Sequence, residues 1–352
     1  MKAFLRKSFL LPVLISIGIQ TSLAQDPQFT QIYAAPMFLN PAFTGNHDYD
    51  CRKLTGSRIK TMVNYRSQYN GDFNTLYGSI DYREKSGRLG LGATIVRDVQ
   101  SSVVPLSSTS FAVLGSYKVP IINDWQVHLG LQGSFNYRNV DFSRLTFPDQ
   151  FTQAGQTAST NEPLLNGAEA TYIDFATGVL FFNDKFFFGG AGHHLNSPNQ
   201  SLYAESDKLP LKVAVHTGYK FTFKRSRGFG RAKGPEKSLT PTIHYKLQGI
   251  FQQLEAGSFF TYDPLLIGVW YRGLPILKTP ASSINQESLC FLVGTKVPTD
   301  YGLIKVGFSY DVPISKQVNT FGRTFELSLS YQLINEKCRK RIVYRKIPCP
   351  GL

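Results

Sequence analysis

Apolar and polar residues alternate along most of the chain. In WQVHLGLQGSFNYR, residues 125–138, apolar side chains occupy nearly every second position, and Gln, His, Ser, Asn and Arg fill most positions between them. RTFELSLSYQL, LKVAVHTGYKFTF and TIHYKLQGIF repeat this pattern. A period of two residues is typical of a β-strand with one apolar and one polar face. The chain is therefore expected to be rich in β-strands.

Fourteen segments fit this description, and most are long enough to cross a bilayer as tilted strands, which takes roughly 9 to 11 residues. The predicted strands cover residues 58–67, 73–84, 88–98, 106–118, 125–138, 170–182, 185–194, 211–223, 241–250, 253–262, 265–272, 287–297, 301–312 and 323–334. An even number of strands is the rule in single-chain barrels of the bacterial outer membrane.

The connections between these segments alternate between short and long. Short turns are predicted at residues 85–87, 120–124, 183–184, 263–264 and 298–300. Longer loops are predicted on the other side at residues 139–169, 195–210 and 273–286. Two connections depart from this alternation, namely a tight turn at Gln252–Gln253 and a long basic stretch at residues 224–240. Short periplasmic turns and long extracellular loops are typical of outer-membrane barrels.

The pattern predicts an all-β fold, a transmembrane antiparallel β-barrel of about 14 strands. A soluble β-sandwich or β-propeller is the alternative. The even strand number, the strand length, the loop asymmetry and the aromatic content of 13% favour the barrel. The polar strand faces are then expected to line its interior.

The start of the chain has the features of a secretory signal peptide. Lys2, Arg6 and Lys7 precede an apolar run over residues 9–19, which small residues follow up to Ala24. This run is about half of the roughly 20 residues that a membrane-spanning helix needs. Cleavage is expected between Ala24 and Gln25, so the mature protein works outside the cytoplasm. Together with the predicted barrel, this gives the outer membrane as its expected location.

The predicted organisation has four parts. They are a signal peptide at residues 1–24, a periplasmic N-terminal segment at 25–57, the outer-membrane β-barrel at 58–334 and a periplasmic C-terminal tail at 335–352.

The formal net charge is +14, and basic residues concentrate in two segments on the predicted periplasmic rim. Such a rim can attract acidic partners or phospholipid headgroups. Nucleic acid is not an expected partner in this compartment. The rim residues predicted to bind partners are Arg225, Arg227, Arg231, Lys233, Arg339, Lys340 and Arg341.

Four cysteines are too few for a disulfide scaffold, and their spacing fits no zinc site. Cys290 lies inside a predicted strand and is expected to be a packed free thiol. Cys51, Cys338 and Cys349 are candidates for a disulfide in an oxidising compartment, with the pairing left open.

The sequence contains no G-x-S-x-G, H-E-x-x-H, P-loop or dinucleotide-binding motif. No catalytic, cofactor-binding or metal-binding residue is therefore predicted, and we expect a protein that is not an enzyme. His193 and His194 are adjacent, so in a strand they point to opposite faces and cannot chelate one metal ion. The stretch NHDYD, residues 46–50, fits no defined cation site.

The stretch AQDPQFTQIYAAPMFLNPAFTG, residues 24–45, precedes the first predicted strand. Its three prolines bias the preceding residues away from helix. Its many apolar side chains need cover from water, so we expect them to pack against the inner wall of the barrel, its periplasmic mouth or a partner. The residues of this segment predicted to mediate packing are Phe29, Tyr33, Phe38, Asn40, Pro41 and Phe43.

This stretch resembles the mature N-terminus of the PorP/SprF family, outer-membrane proteins of the type IX secretion system of Bacteroidetes. GGAGHHLNSPNQSL, LPLKVAVHTGYKF, PTIHYKLQGIFQQLEAGSFFTYDPLLIGVWYRG, GRTFELSLSYQL and IPCP resemble family blocks in the same order. The similarity covers essentially the whole mature chain, and residues 241–273 are specific. NHDYDCRK, residues 46–53, and the basic stretch depart from the family pattern, which leaves open a core secretion component or a cargo-specific paralogue.

The resemblance implies a non-enzymatic role in type IX secretion and gliding. Its implied partners are a secreted surface adhesin or other cargo, other periplasmic and outer-membrane components of the system, and outer-membrane lipid. The alternative is a barrel similar to the FadL family of hydrophobic-compound transporters, whose N-terminal segment enters the barrel as a hatch. The Gln, His, Lys and Arg residues on the polar strand faces favour the secretion component.

Overall fold

The computed structural model describes residues 26–46, 55–100, 105–121, 124–142, 145–152, 155–156, 168–202, 206–223, 237–273, 288–314, 322–337 and 347–348. Fourteen long strands lie within these ranges. They are β1 (Thr55–Gln68), β2 (Phe73–Arg83), β3 (Leu89–Gln100), β4 (Leu106–Pro120), β5 (Gln126–Val140), β6 (Glu169–Phe182), β7 (Phe186–His193), β8 (Lys212–Tyr219), β9 (Lys237–Gln248), β10 (Phe251–Tyr262), β11 (Leu265–Gly273), β12 (Ser288–Thr299), β13 (Gly302–Pro313) and β14 (Thr324–Lys337).

Every strand pairs antiparallel with its neighbours in chain order, and the first strand pairs with the last. The ring is complete because β8 also pairs with β9, with His216 opposite His244. The fold is therefore a closed antiparallel β-barrel of fourteen strands, which confirms the predicted fold class. A short strand at Phe221–Thr222 extends β8 along β9, and a two-stranded hairpin joins Phe151–Thr152 to Gly155–Gln156.

The alternation in the sequence separates the two faces of the wall. On β5, Leu129, Leu131 and Phe135 are exposed on the outside, whereas His128 and Asn136 are buried on the inside. The other strands also place large apolar residues outside, and their inner faces are largely polar, with apolar residues such as Tyr77, Phe187 and Trp270 where they face the core. This arrangement suits a barrel surrounded by lipid, because apolar side chains meet the acyl chains.

One predicted turn is wrong. The tight turn between β9 and β10 lies at Gly249 and Ile250, not at Gln252–Gln253. Gly249 has a φ of +56°, a backbone conformation that glycine adopts without steric cost. Gln252 and Gln253 instead extend β10.

Residues 26–46, here called the inner segment, lie inside the barrel. They form a 3₁₀ turn at Ile32–Ala34, a short α-helix at Pro36–Leu39 and a second 3₁₀ turn at Pro41–Phe43. The apolar core of the protein consists of this segment and the residues of the wall that face it. None of the described helices is long and apolar enough to cross a membrane.

We predict that Leu131→Arg destabilises the barrel, because the leucine is 69% exposed near the middle of the outer face of β5. An arginine facing lipid near the bilayer midplane costs about 2–4 kcal/mol. Urea unfolding in phospholipid vesicles measures this loss, and Leu131→Phe is the apolar control. Equal stability of the two variants would contradict a lipid-facing position.

Candidate functional site

The inner segment connects the two mouths of the barrel. The proximal mouth is the end where β1 begins and β14 ends, and the distal mouth is the end where β1 ends. Asp26 contacts Lys212 and Gln248, which lie at the distal ends of β8 and β9. Gly45 donates its backbone N–H to Asp81 Oδ1 at 2.6 Å, near the proximal end of β2. The chain thus runs through the lumen from the distal mouth to the proximal mouth before it enters β1.

At the distal mouth, Asp26 is held by three side chains. Its carboxylate lies 2.8 Å from Lys212 Nζ and 3.0 Å from His194 Nε2, and it accepts a hydrogen bond from Gln248 Nε2 at 3.3 Å. Burial alone would raise the pKa of the Asp26 carboxyl, but Lys212 and His194 hold that pKa well below its usual range. Asp26 is therefore an anion that ties the start of the inner segment to the wall.

Below this anchor, five charged residues of the wall form an ionic cluster, defined as Arg66, Glu255, Arg272, Asp311 and Glu326. Arg66 bridges Asp311 at 3.0 Å and Glu326 at 3.1 Å. Arg272 bridges Glu255 at 3.0 Å and Asp311 at 2.9 Å. All five side chains are almost fully buried, so the ion pairs are shielded from water and strengthened by the low dielectric.

The ionic cluster binds the backbone of the inner segment. Glu326 accepts the N–H of Thr30 at 2.5 Å and that of Gln31 at 3.1 Å. The Thr30 hydroxyl donates to Asp311 Oδ2 at 2.7 Å, and Arg66 also contacts it. One buried carboxylate thus pairs two backbone donors that would otherwise be unsatisfied in the interior.

The stretch NPAFTG, residues 40–45, fixes the proximal half of the segment. The Asn40 side chain donates to the carbonyls of Val179 and Gly190 and accepts the N–H of Ala42 at 2.8 Å, which caps the following 3₁₀ turn. Ser116 donates to the Thr44 carbonyl at 2.6 Å. The asparagine therefore links two neighbouring strands of the wall, β6 and β7, to the inner segment.

Two glycines of the wall make room for this stretch. A Cβ atom at Gly130 would overlap the backbone of Pro41 and Ala42, and a Cβ atom at Gly178 would overlap Asn40 Oδ1. Both glycines lie on the inner face of neighbouring strands, β5 and β6, where any larger residue would push the segment away from the wall. The wall is thus shaped for this particular segment.

Aromatic rings fill the space between the two polar regions. Tyr33 has Phe43, Phe187 and Phe259 at ring-centroid distances of 6.5, 6.1 and 5.8 Å, all edge-to-face. The imidazole of His216 stacks on Phe43. Edge-to-face pairs are a favoured geometry for aromatic rings.

The six residues predicted to mediate packing all lie in the lumen. Phe29, Tyr33, Asn40, Pro41 and Phe43 are buried, and Phe38 is half-buried against the core. The other predicted site residues lie outside the described residues; these are Arg225, Arg227, Arg231, Lys233, Arg339, Lys340, Arg341, Cys51, Cys338 and Cys349. Cys290 is a buried free cysteine.

His193 and His194 do not point to opposite faces, in contrast to the prediction. His193 lies 3.3 Å from the Leu39 carbonyl, and His194 lies 2.9 Å from Asp174 and 3.0 Å from Asp26. The reason is that His194 leaves the strand with a φ of +60°, so both rings reach the inner segment. Among the described residues, no group of three or more His, Cys, Asp or Glu side chains could hold a metal ion.

Sequence reasoning did not identify the ionic cluster. A partial signal was present, because Glu326 falls on the polar face of its predicted strand, between the apolar positions Phe325 and Leu327. The two-residue period assigns each residue to a face but does not tell which strands pair, so it does not reveal that Arg66 lies opposite Glu326 on β1 and β14.

A comparison with models of protein families shows which family the chain belongs to. The model of the type IX secretion system membrane protein PorP/SprF matches residues 21–331. The chain belongs to the PorP/SprF family. A search of curated proteins finds no match.

Solved structures similar to this PorP/SprF protein are bacterial barrels. The CymD monoaromatic hydrocarbon channel matches with a TM-score of 0.50 and 12% identity, over 86% of this chain and 93% of that chain. The toluene transporter TbuX of Ralstonia pickettii matches with a TM-score of 0.47 and 12% identity, over the same shares of the two chains. At this identity the likeness to CymD shows the fold alone.

We predict that Gly178→Ala loosens the inner segment, because the added methyl group would overlap Asn40 Oδ1. Limited digestion with chymotrypsin measures this effect, since a loosened segment exposes Tyr33 and Phe43 to the protease. The matched control is Gly115→Ala, where an added Cβ meets no atom within 4 Å. Equal digestion of the two variants would show that the close approach does not hold the segment.

We predict strong coupling between Arg66 and Glu326. Removing one partner of a buried ion pair typically costs about 3–5 kcal/mol, so Arg66→Met and Glu326→Gln should each lower the free energy of unfolding. The double variant should lose less than the sum of the two, with a coupling energy of about 1–3 kcal/mol. Urea unfolding followed by tryptophan fluorescence measures all three variants.

The control for this cycle is Glu169→Gln, which neutralises an exposed carboxylate bonded to the Tyr137 hydroxyl. That change should alter stability by less than about 0.5 kcal/mol. Additive losses in the Arg66 and Glu326 variants would contradict direct coupling in the ionic cluster.

Proposed function

We propose that this protein is a non-enzymatic outer-membrane component of the type IX secretion system that binds a secreted surface protein, such as an adhesin, and helps to secrete or anchor it. The periplasmic rim docks other components of the secretion machinery. Family membership supports the assignment to the secretion system.

The filled lumen is the observation that carries this proposal. The inner segment runs from one mouth to the other and is hydrogen-bonded to the wall along its length. A folded or extended polypeptide would have to displace it in order to pass. The protein therefore fits the role of a binding partner of an exported chain better than that of its conduit.

The predicted orientation assigns different partners to the two mouths. Residues 141–168 and 194–211 connect strands at the distal mouth, which is predicted to face the cell exterior, and long exterior loops are natural binding surfaces for a cargo. The basic stretch at residues 224–236 and the tail after β14 follow the proximal ends of their strands. These basic residues would attract acidic surfaces in the periplasm.

Transport of hydrophobic small molecules is the alternative function. The buried ionic cluster weighs against a continuous apolar path through the described part of the lumen, because such a path would have to cross five charged side chains. The likeness to hydrocarbon channels concerns the fold alone. We therefore favour partner binding.

Affinity purification from detergent-solubilised outer membranes, followed by mass spectrometry, tests the proposal. We expect the tagged full-length chain to recover a large secreted surface protein together with other type IX components. Arg339→Gln, Lys340→Gln and Arg341→Gln combined should reduce recovery of the periplasmic components by several-fold, because the variant removes three positive charges from the rim.

The matched control keeps the charge, with Arg339→Lys and Arg341→Lys in place of the neutral residues. Barrel levels should be the same in all three strains. Recovery of the barrel alone from wild-type cells would contradict the proposed function, and unchanged recovery of periplasmic components with the neutral variant would contradict the docking role of the rim.

A further inference from the structure

A cavity of about 180 Å³ opens at the distal mouth between the inner segment and strands β8 to β11. One side consists of residues of the inner segment, among them Phe29, Ile32 and Phe38. Ala214 and His244 belong to the opposite side, on β8 and β9. The inner segment therefore forms one side of this cavity as well as filling the lumen.

The side formed by the inner segment is apolar and aromatic. Phe29 and Phe38 pack edge-to-face with ring centroids 5.1 Å apart, and the Lys212 ammonium lies 4.8 Å from the centre of the Phe38 ring. Phe251 extends the apolar lining at the start of β10. Such a surface favours an aromatic guest, which can stack on the rings and also meet the nearby cation.

The opposite side carries polar atoms that have no hydrogen-bond partner among the described residues. His244 is only 3% exposed, its Nδ1 lies 3.9 Å from Glu255 Oε2, and neither ring nitrogen makes a hydrogen bond to any described residue. Gln253 donates to Gln28 Oε1 at 3.2 Å, but its own Oε1 accepts no hydrogen bond from the described residues. Buried polar atoms are almost always paired with protein, water or a ligand.

The size of the cavity limits the guest to about one aromatic side chain. A dry engineered cavity of about 150 Å³ in another protein binds one benzene molecule. Gln253 Oε1 can accept a hydrogen bond from a guest. Tyrosine can donate one from its hydroxyl group, and tryptophan can donate one from its indole nitrogen. Phenylalanine fits the apolar wall but leaves this oxygen unpaired.

We propose that the cavity at the distal mouth receives one tyrosine or tryptophan side chain of the exported protein. This proposal rests on the proposed function, which assigns the cargo to the distal mouth. A single aromatic anchor in a preformed pocket typically supplies a large share of the binding energy of an interface. The inner segment then has a direct role in cargo recognition, through Phe29 and Phe38.

Direct binding of small probes tests the chemistry of the pocket. The probes are N-acetyl-L-tyrosinamide and N-acetyl-L-phenylalaninamide, titrated by NMR saturation transfer onto the full-length protein in detergent micelles. We expect the tyrosine probe to bind about three to ten times more tightly, the difference that one net hydrogen bond provides. His244→Phe and Gln253→Leu, which keep the bulk of the wall, should reduce this difference.

Filling the cavity tests its role in cargo binding. Ala214→Leu places a larger side chain in the pocket and should abolish probe binding and reduce cargo recovery in the affinity purification by several-fold. The matched control is Val213→Leu, whose side chain points to the outer face of the same strand. If Ala214→Leu fails to fold, Gln253→Leu replaces it in the recovery assay.

The outcomes separate this proposal from the proposed function. Cargo recovery that is equal for wild type and the pocket variants overturns the pocket but leaves the secretion role intact. Probe binding without any cargo recovery from wild type overturns both the secretion role and the assignment of the guest. Equal affinity for the two probes overturns the donor requirement. Absence of probe binding to the wild-type protein also overturns the proposal.

Discussion

The structure depends on hydrogen bonds between the polar inner face of the barrel wall and the inner segment, which lies in the lumen. A barrel that turns apolar side chains toward lipid must turn polar ones inward, and buried polar atoms need partners. Glu326 shows how this demand is met, because its fully buried carboxylate binds two backbone N–H groups of the inner segment and the guanidinium of Arg66. The wall and the segment are each incomplete without the other.

The protein differs from a soluble globular protein in having apolar residues both in its core and on its outer surface. The buried aromatic residues surround Tyr33 and Phe43 in the lumen, while the outward surface of the barrel is apolar and exposed.

Much of the fold was predictable from the sequence, because a period of two residues defines strands and their faces directly. The turn at Gly249 was displaced in the prediction, since QGIFQQ offers several polar positions and only the backbone conformation distinguishes them. The ionic cluster was not predicted, because Arg66 and Glu326 are far apart in sequence and become neighbours only when the first strand pairs with the last. Gly130 and Gly178, on the polar faces of their strands, are the signal that could have revealed a segment packed against the wall.

The path of the inner segment also constrains the order in which the protein assembles. Residues 26–46 precede β1, and the barrel closes by pairing β1 with β14, the last of the described strands in chain order. Threading the segment through a finished ring would force Asn40 and Pro41 past the narrow surface at Gly130 and Gly178, and would drag Asp26 past a buried ionic cluster. Closing the seam around a segment already in place avoids both steps. The structure therefore favours an order of assembly in which the inner segment is in place before β1 pairs with β14.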